Sequence, residues 1–289
     1  MKRAPVLLCL FVSLWLCAAI ATAQDTVRAF GAVSVALPLV EAIPILRTEK
    51  GIELIVRASG GTEAGLDALG ERTISLALSS RSLTPVDRSE YPGMQFTEIP
   101  IGVQVLAMAV SADVWAGGVR SLSATQAQAI YEGKITNWKD VGGPNLKIKV
   151  FMNEPGRGQW ELFVQWLYGG IRKAPKSKSA VVREINETRN VVEFTPGSFA
   201  LLPPSMTDGR TIFGLAAQDS QGTPIEPTLQ NVLDEKYPLS RPLLLVIEDK
   251  PTGNVKTIVD LMISERGQAF VKQFGYITLK ELRAAKAVK

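Results

Sequence analysis

Three loops in this 289-residue chain place hydroxyl side chains close to the end of a predicted strand. They comprise residues 31–35, 58–65 and 78–83, and the first two also contain glycines that permit a close backbone approach. Backbone N–H groups at helix N-termini, hydroxyl groups and an arginine can together hold an oxyanion without any metal. The sequence therefore predicts a metal-free anion site that is built from several loops.

Particular residues in these loops are the candidate ligands. Ser34 would offer its hydroxyl, Val35 its backbone N–H, and Thr62 a second hydroxyl. Ser80 and Arg81 would add a further hydroxyl and a positive charge. Each also has a plainer interpretation, because a serine before a helix is an ordinary N-terminal cap and an arginine after a strand is often solvated.

The composition argues against most enzymatic chemistry. The chain has no histidine, and its two cysteines, Cys9 and Cys17, lie in an N-terminal segment that we expect to be removed. Cysteine nucleophiles, Ser–His pairs and the usual zinc and copper ligands are therefore excluded from the mature chain. We expect that the protein is not an enzyme and that it has neither a cofactor nor a metal site. Catalysis by carboxylates alone is the one kind of enzymatic chemistry that this composition leaves open.

The first 23 residues have the features of a cleavable signal peptide. A basic start precedes an apolar run at residues 6–20, and small residues follow up to Ala23. The run is short for a membrane anchor, and Leu16 stands before Cys17 where a lipid-attachment site would need a small residue. We expect cleavage after Ala23, export to the periplasm and no lipid anchor.

The charge of the chain is mild. Removing the signal peptide takes away Lys2 and Arg3, so the formal net charge falls from +4 to +2. A nucleic-acid partner would normally require a basic stripe, and none is visible in the sequence. The remaining length suits one large domain or two lobes, and its apolar fraction is sufficient for a buried core.

Apolar runs typical of strands alternate with helical patterns, which predicts an α/β fold. The predicted strands are residues 27–30, 53–58, 75–79, 104–110, 147–152 and 242–248. The predicted helices are residues 37–50, 62–71, 124–131, 158–168 and 256–274. Two further apolar runs, residues 94–110 and 237–247, are longer than one ordinary strand requires.

Several ordered segments resemble one known family. Residues 130–143 resemble a signature of the PstS-like phosphate-binding proteins that serve ABC importers, with Gly133 ending a helix and the buried ring of Trp138 anchoring the next loop. Further segments that resemble family motifs are residues 237–243, 263–268 and 275–277. The resemblance implies a type II periplasmic binding protein fold, with a ligand cleft between two lobes joined by a two-segment hinge.

The resemblance also implies the limits of the lobes. Lobe 1 would comprise residues 24–104 and 241–289, and lobe 2 would comprise residues 105–240. By this resemblance, Ser34 and Thr62 match positions at which a hydroxyl group binds the ligand in the family. The Ser-Ser-Arg run of the third loop, which ends at Arg81, resembles one subgroup of the family.

The fourth ligand loop departs from the family pattern. Relatives carry an arginine, two spacer residues and then Gly-Ser-Gly-Thr, whereas Asn153, Arg157 and Gln159 replace the arginine, the serine and the threonine here. Gly156 and Gly158 remain, so a backbone cradle before the next helix is still predicted. Arg157 and Gln159 would either enter the cleft or lie in solvent, and both alternatives stay open.

One acidic residue complicates the second loop. Glu63 lies where a carboxylate would already interact with the helix dipole, and it would repel an anion if it pointed inward. We therefore expect Glu63 to face solvent.

The resemblance implies a function in solute capture. We expect a monomeric periplasmic protein that binds an inorganic oxyanion, phosphate foremost, and delivers it to the membrane subunits of an ABC permease. The altered fourth loop leaves two alternatives open. The same fold could bind a carboxylate, an organophosphate or another oxyanion, or the protein could have a sensory or structural role without transport.

Overall fold

The computed structural model describes residues 26–170, 173–175, 177 and 179–287. The predicted signal peptide, with Cys9 and Cys17, lies outside the described residues. The strands are β1 (Thr26–Gly31), β2 (Glu53–Ala58), β3 (Leu76–Ser79), β4 (Phe96–Val105), β5 (Ala107–Ser111), β6 (Ser121–Leu122), β7 (Lys149–Met152), β8 (Ala180–Val181), β9 (Ser198–Leu202), β10 (Ile212–Gln218), β11 (Pro224–Ile225) and β12 (Ser240–Glu248). The helices are α1 (Val33–Lys50), α2 (Gly61–Gly70), α3 (Pro85–Glu90), α4 (Ala112–Ala116), α5 (Ala124–Tyr131), α6 (Gly158–Tyr168), α7 (Ile185–Phe194), α8 (Leu229–Leu233), α9 (Gly253–Ile263), α10 (Glu265–Gln273) and α11 (Leu279–Ala287).

The first sheet has the strand order β2-β1-β3-β12-β4. Strand β1 is parallel to both of its neighbours, and helices α1 and α2 follow β1 and β2 as crossover connections. Strand β12, from the C-terminal part of the chain, pairs antiparallel with β3 and β4. Since the carboxyl ends of parallel strands share one sheet edge, the loops after β1, β2 and β3 are brought together there.

The second sheet has the order β11-β10-β5-β9-β7-β8, and β6 pairs with β10. Its largest core cluster includes Trp138, Phe163 and Phe199, which are all fully buried. Each sheet therefore has its own apolar core, and the α/β prediction is confirmed. No helix in the described part of the chain combines the length and the apolar character needed to cross a bilayer.

Two short connections join the sheets. The chain leaves the first sheet at Leu106, between β4 and β5, and returns at Leu239, just before β12. The backbone N–H of Leu106 donates to the carbonyl of Leu239 at 2.9 Å, and the hydroxyl of Tyr237 donates to the carbonyl of Leu106 at 2.7 Å. The two connections therefore run side by side and are hydrogen-bonded to each other.

Two predicted helices differ from the structure by more than one residue. Helix α1 begins at Val33, four residues before the predicted start, and Pro38 lies inside it. The predicted helix at residues 256–274 is two helices, α9 and α10, which are separated by Ser264. The Ser264 backbone is extended (φ −71°, ψ 166°), and its hydroxyl accepts from Gly267 N at 3.3 Å, which caps α10.

The loop anchored by Trp138 has the predicted form. Its ring is fully buried, and Nε1 donates to the carbonyl of Gly197 at 3.0 Å. Gly133, just after α5, has φ 69°, which a left-handed helix end requires. The predicted roles of Gly133 and Trp138 are confirmed.

Candidate functional site

Ser34 lies in the first turn of α1, where its hydroxyl is buried without a hydrogen-bond partner among the described residues. Ala32 is the N-terminal cap of this helix, so the interpretation of Ser34 as an ordinary cap is wrong. An unpaired buried hydroxyl is costly, since it has lost its bonds to water. Ser34, beside the equally buried Val35, is therefore available to a ligand at a helix N-terminus.

Thr62 and Ser80 meet at the adjacent loops. Thr62 lies in the first turn of α2 and is buried, and its hydroxyl accepts from the backbone N–H of Ser80 at 3.0 Å. The two hydroxyl oxygens are 3.5 Å apart. The structure thus brings these two predicted residues together, as expected for loops at the carboxyl edge of a parallel sheet.

Arg81 has carboxylate partners of its own. Its guanidinium donates to both carboxylate oxygens of Asp87, at 2.7 and 2.9 Å, and to Glu63 at 3.3 Å. Hydrogen bonds from Arg81 hold the pKa of the Asp87 carboxyl well below its usual value. The Glu63 side chain is 72% exposed, so the prediction that it faces solvent is confirmed. The positive charge of Arg81 is therefore already compensated.

A second arginine, Arg241, lies at the centre of the site. It is in β12, and its side chain is only 12% exposed. Its guanidinium donates to Gln104 Oε1 at 2.8 Å, to Ser80 Oγ at 3.4 Å and to the carbonyl of Gly158 at 2.9 Å. Since Gly158 opens α6 beside the second sheet, Arg241 bridges the two sheet units. Burial lowers the pKa of this guanidinium, and the Glu161 carboxylate opposes that change.

Gln104 supplies the second unpaired donor. Its side-chain Oε1 accepts from Arg241, and its Nε2 is buried without a partner within the described ranges. Gly158 comes close to Ser34 on the other side, because a Cβ added to Gly158 would lie 3.2 Å from Ser34 Cβ and 3.3 Å from Arg241 Nη2. Ser34 and Arg241 therefore both lie against Gly158, and Gln104 lies against Arg241.

The side chains of the fourth loop lie elsewhere. Arg157 and Gln159, with Asn153 and Arg183, line a cavity of about 260 Å³ that we call the side cavity. The Arg157 side chain is half exposed and lies 4.0 Å from Glu154. Of this loop's candidates, Gly158 alone contacts Ser34 and Arg241 through its backbone.

The hydroxyls of the other loops line a different space. A cavity of about 430 Å³ is bordered by Thr62, Ser80, Arg81, Glu161 and Arg241, and we call it the central cavity. Of the predicted site residues, Thr62, Ser80 and Arg81 border the central cavity, Arg157, Gly158 and Gln159 border the side cavity, and Ser34 and Val35 border neither. Gly156, with φ 86°, shapes the turn before α6 and lines neither cavity.

Sequence reasoning missed Arg241, Gln104 and Glu161. A signal was present for Gln104, which interrupts the apolar run at residues 94–110. Arg241 and Gln104 are cross-strand partners in the β4–β12 pair, so their proximity depends on a strand pairing that joins distant parts of the sequence. Glu161 faces Arg241 only because α6, which packs in the core of the second sheet, begins against Arg241.

The arrangement is suited to holding an anion. It combines hydroxyl, amide and guanidinium donors with the first turns of α1, α2 and α6, whose N-terminal ends favour negative charge. In the described part of the chain no group of three or more acidic residues could hold a metal ion.

Comparison with known proteins identifies similar sequences. Residues 18–275 match a family model described as the PBP superfamily domain. The phosphate-binding protein PstS of Bacillus subtilis (strain 168) is 24% identical over 230 residues, which cover 79% of this chain and 72% of the relative. The phosphate-binding protein PstS of Borreliella burgdorferi is also 24% identical over 230 residues, covering 76% of this chain and 78% of that protein.

Solved structures show the same fold. A possible phosphate binding protein from Planctomyces limnophilus superposes with a TM-score of 0.78 at 19% identity, covering 92% of this chain and 99% of the other. An ABC-type phosphate transport receptor from Vibrio cholerae superposes with a TM-score of 0.66 at 23% identity, covering 87% and 99%. Because the family model spans most of its length, the chain belongs to the PBP superfamily.

Proposed function

We propose that this protein captures an inorganic oxyanion, phosphate foremost, between its two sheet units and delivers it to an ABC importer. One observation carries the proposal. The only two buried polar side-chain atoms without a partner in the described residues are Ser34 Oγ, in a residue that lies against Gly158, and Gln104 Nε2, and both Gly158 and Gln104 accept hydrogen bonds from Arg241. Buried donors of this kind are normally satisfied, so two of them near an arginine support an anionic ligand.

The charges around the site support a ligand held mainly by hydrogen bonds. Arg241 faces Glu161, and Arg81 faces Asp87 and Glu63, so little net positive charge is left. Three or four hydrogen bonds to a charged ligand would contribute about 8 kcal/mol, which corresponds to a Kd of about 1 μM. Hydroxyl, amide and helix N-terminal donors would supply most of this free energy.

Ligand entry requires the sheets to separate. Ser34 and Gln104 are 0% and 1% exposed, so an anion can reach them only when Gly158 moves away from Arg241. We propose that residues 24–104 and 241–289 form one lobe, that residues 105–240 form the other, and that the paired connections at Leu106 and Leu239 are the hinge. Closure would then be the signal that the permease reads.

The names of the relatives support the rest of the proposal. Proteins called phosphate-binding protein PstS are similar over about three quarters of this chain, and one solved neighbour is called an ABC-type phosphate transport receptor. We infer a periplasmic, monomeric binding protein whose partners are the membrane subunits of a permease. In this proposal it is neither an enzyme nor a nucleic-acid binder, and it needs no cofactor.

The side cavity favours a second candidate ligand. Arg157, Gln159 and Arg183 would meet a substituent that extends from a phosphate held near Gly158. An organophosphate or a carboxylate would use this cavity, whereas inorganic phosphate would not reach it. A phosphate monoester that bound more tightly than inorganic phosphate would support this candidate.

Calorimetric titration tests the proposed function. The purified protein, freed of bound anions by dialysis, is titrated with inorganic phosphate and, as a control, with sulfate. We expect phosphate to bind with a Kd of about 1 μM or tighter. No binding of phosphate at millimolar concentrations would contradict the proposal.

A further inference from the structure

The last part of the described chain, residues 275–287, contacts both sheet units, and we call it the C-terminal segment. It is joined to the first unit by an antiparallel bridge between Ile277 and Val103, with N–H···O distances of 2.8 and 3.0 Å. Helix α11 follows, and the backbone N–H of Leu279 donates to the buried side chain of Gln268 at 2.7 Å. These bonds fix the segment on the first unit, near the end of β4, where the chain crosses to the second unit.

The same segment contacts the second unit at three places. A Cβ added to Gly275 would lie 2.6 Å from Pro203 Cγ, so the Gly275 backbone lies directly against that ring. The Ile277 side chain packs against the core cluster of the second sheet. Further along, Cα atoms of α11 come within 8 Å of Cα atoms of α8. The segment therefore crosses between the units without belonging to either of the two covalent connections.

Helices α11 and α8 leave space between them. A cavity of about 520 Å³, which we call the hinge cavity, is lined by Leu282 of α11, by Leu233 of α8 and by Pro238 beside the proposed hinge. A close-packed interior would leave no space of this size. The separation of the two helices can therefore change when the units move.

Movement of the units about the connections at Leu106 and Leu239 must alter these contacts, because each contact has one partner on either unit. On the basis of the proposed movement between the lobes, we propose that the C-terminal segment is a strap that limits how far the lobes open. In this structure Gly275 lies on Pro203, and α11 lies beside α8. Opening costs the free energy of these contacts. The strap thus holds the ligand-free protein close to the arrangement that binds the anion, which raises the apparent affinity.

Gly275→Ala provides the first test, because the added methyl group is a wedge against Pro203. The substitution also strains the backbone, since Gly275 has φ 72°. Gly51→Ala is the matched control. Gly51 ends α1 with φ 65°, and a Cβ added there would have no neighbouring atom within 4 Å. Both variants carry a similar backbone strain, and Gly275→Ala alone pushes the two units apart.

Pulsed electron paramagnetic resonance measures the separation of the units in the ligand-free protein. Spin labels are attached to Lys139→Cys in the second unit and Lys250→Cys in the first, which are exposed positions, and residues 24–289 contain no other cysteine. Lys250 follows β12 at the end away from the hinge, and Lys139 lies beside Trp138, whose ring bonds to Gly197 at the corresponding end of β9. We expect a longer and broader distance distribution in Gly275→Ala and an unchanged one in Gly51→Ala.

A second variant weakens the strap without straining the backbone. Leu282→Ala shortens a half-buried side chain that lines the hinge cavity, so it should also lengthen the measured distance. Leu261→Ala is its control, because Leu261 is half-buried in α9 and packs against the core of the first sheet. It should leave the distance unchanged.

Phosphate affinity should follow the separation of the units, because binding must bring them back together. Calorimetry should show a loss of about tenfold in Gly275→Ala and of about threefold in Leu282→Ala. The Gly51→Ala and Leu261→Ala controls should change the affinity by less than about twofold.

The outcomes separate the strap from the proposed function. Unchanged distances in both Gly275→Ala and Leu282→Ala would overturn the strap, and phosphate binding by the unaltered protein would still support the function. An equal shift in Gly51→Ala would also overturn the strap, because backbone strain alone would then explain it. Longer distances in the two strap variants of a protein that binds no phosphate would support the strap and contradict the function. If Gly275→Ala folds poorly, the Leu282→Ala and Leu261→Ala pair still decides.

Discussion

Arg241 and Gln104 are direct cross-strand neighbours in the β4–β12 pair; Gln104 lies two residues before the connection at Leu106, and Arg241 lies two residues after the connection at Leu239. Arg241 Nε donates to Gln104 Oε1 at 2.8 Å, which fixes both side chains beside the proposed hinge. The same guanidinium reaches Gly158 of the opposite unit. In the proposed function, ligand recognition and movement between the sheets would therefore meet in one side chain.

Replacing Arg241 should abolish tight binding. Arg241→Ala removes the guanidinium and should weaken phosphate binding by about 3 kcal/mol or more, which is at least about 100-fold. Arg241→Lys should recover only part of this loss, because an ammonium group lacks the planar fork. Arg72→Ala is the control, since Arg72 is an exposed arginine paired with Glu248. Calorimetric titration would measure the phosphate affinity of all three variants. An Arg241→Ala protein that binds phosphate as tightly as the unaltered protein would contradict the role of Arg241 as a ligand.

Removing the Ser34 hydroxyl should lower the affinity for phosphate without lowering the stability of the protein. Ser34→Ala deletes an unpaired buried hydroxyl, so the free energy of unfolding should stay the same or rise. Phosphate affinity should fall by about tenfold to a hundredfold, because a hydrogen bond to a charged ligand is lost. Urea unfolding without ligand and calorimetry with phosphate measure the two quantities.

Ser198→Ala is the matched control for this experiment. Ser198 is also fully buried, but its hydroxyl donates to the carbonyl of Val192 at 3.0 Å. This substitution should lower the free energy of unfolding by about 1 kcal/mol and leave the affinity unchanged. If Ser34→Ala behaved in the same way as Ser198→Ala, Ser34 would be a structural residue.

Arg157 should have little influence on inorganic phosphate. Its side chain is half exposed and lines the side cavity instead of the central cavity. Arg157→Ser should change phosphate affinity by no more than about threefold, which is less than about 1 kcal/mol. A titration showing a large loss would instead identify Arg157 as a ligand, and a large gain would show that it obstructs the site.

Asp87 should stabilise the protein at neutral pH and lose this effect in acid. Its carboxyl has a lowered pKa in the folded protein, chiefly through its hydrogen bonds to Arg81. A lowered pKa contributes stability above the unfolded-state value of about 4, and this stability is lost as the pH falls from there towards the folded-state pKa.

The test compares Asp87→Asn with the unaltered protein by urea unfolding. At pH 7 the variant should be less stable by about 1 kcal/mol, because it lacks the ion pair with Arg81. The loss is small because the Arg81 side chain is partly exposed to solvent. The difference should shrink steadily below about pH 4. A difference in stability that is independent of pH would show that the ion pair contributes nothing.

Local patterns predicted much of the fold. The limits of β2, α5 and α6 are confirmed, because glycines, capping residues and apolar periodicity mark their ends. The predicted start of α1 was four residues too late. The residue that precedes this helix, Ala32, has no side chain that could cap it, so no local signal marks the N-terminus.

The site was only partly predictable for a different reason. Ser34, Thr62 and Ser80 follow three strands whose parallel order brings their ends together. Local pattern predicted these loops, and the resemblance to the family nominated the residues as ligands. Arg241 depends on the pairing of β12 with β4, and Glu161 depends on the packing of α6 across the gap between the sheets. Neither relationship follows from spacing along the chain.

The most direct test is a crystal structure of the protein grown with inorganic phosphate at a concentration that saturates it in titration. The account predicts one phosphate between the sheets, within hydrogen-bond distance of Ser34 Oγ, Gln104 Nε2 and the Arg241 guanidinium. A phosphate bound instead beside Arg157 and Gln159 in the side cavity, with Ser34 and Gln104 still unpaired, would contradict it.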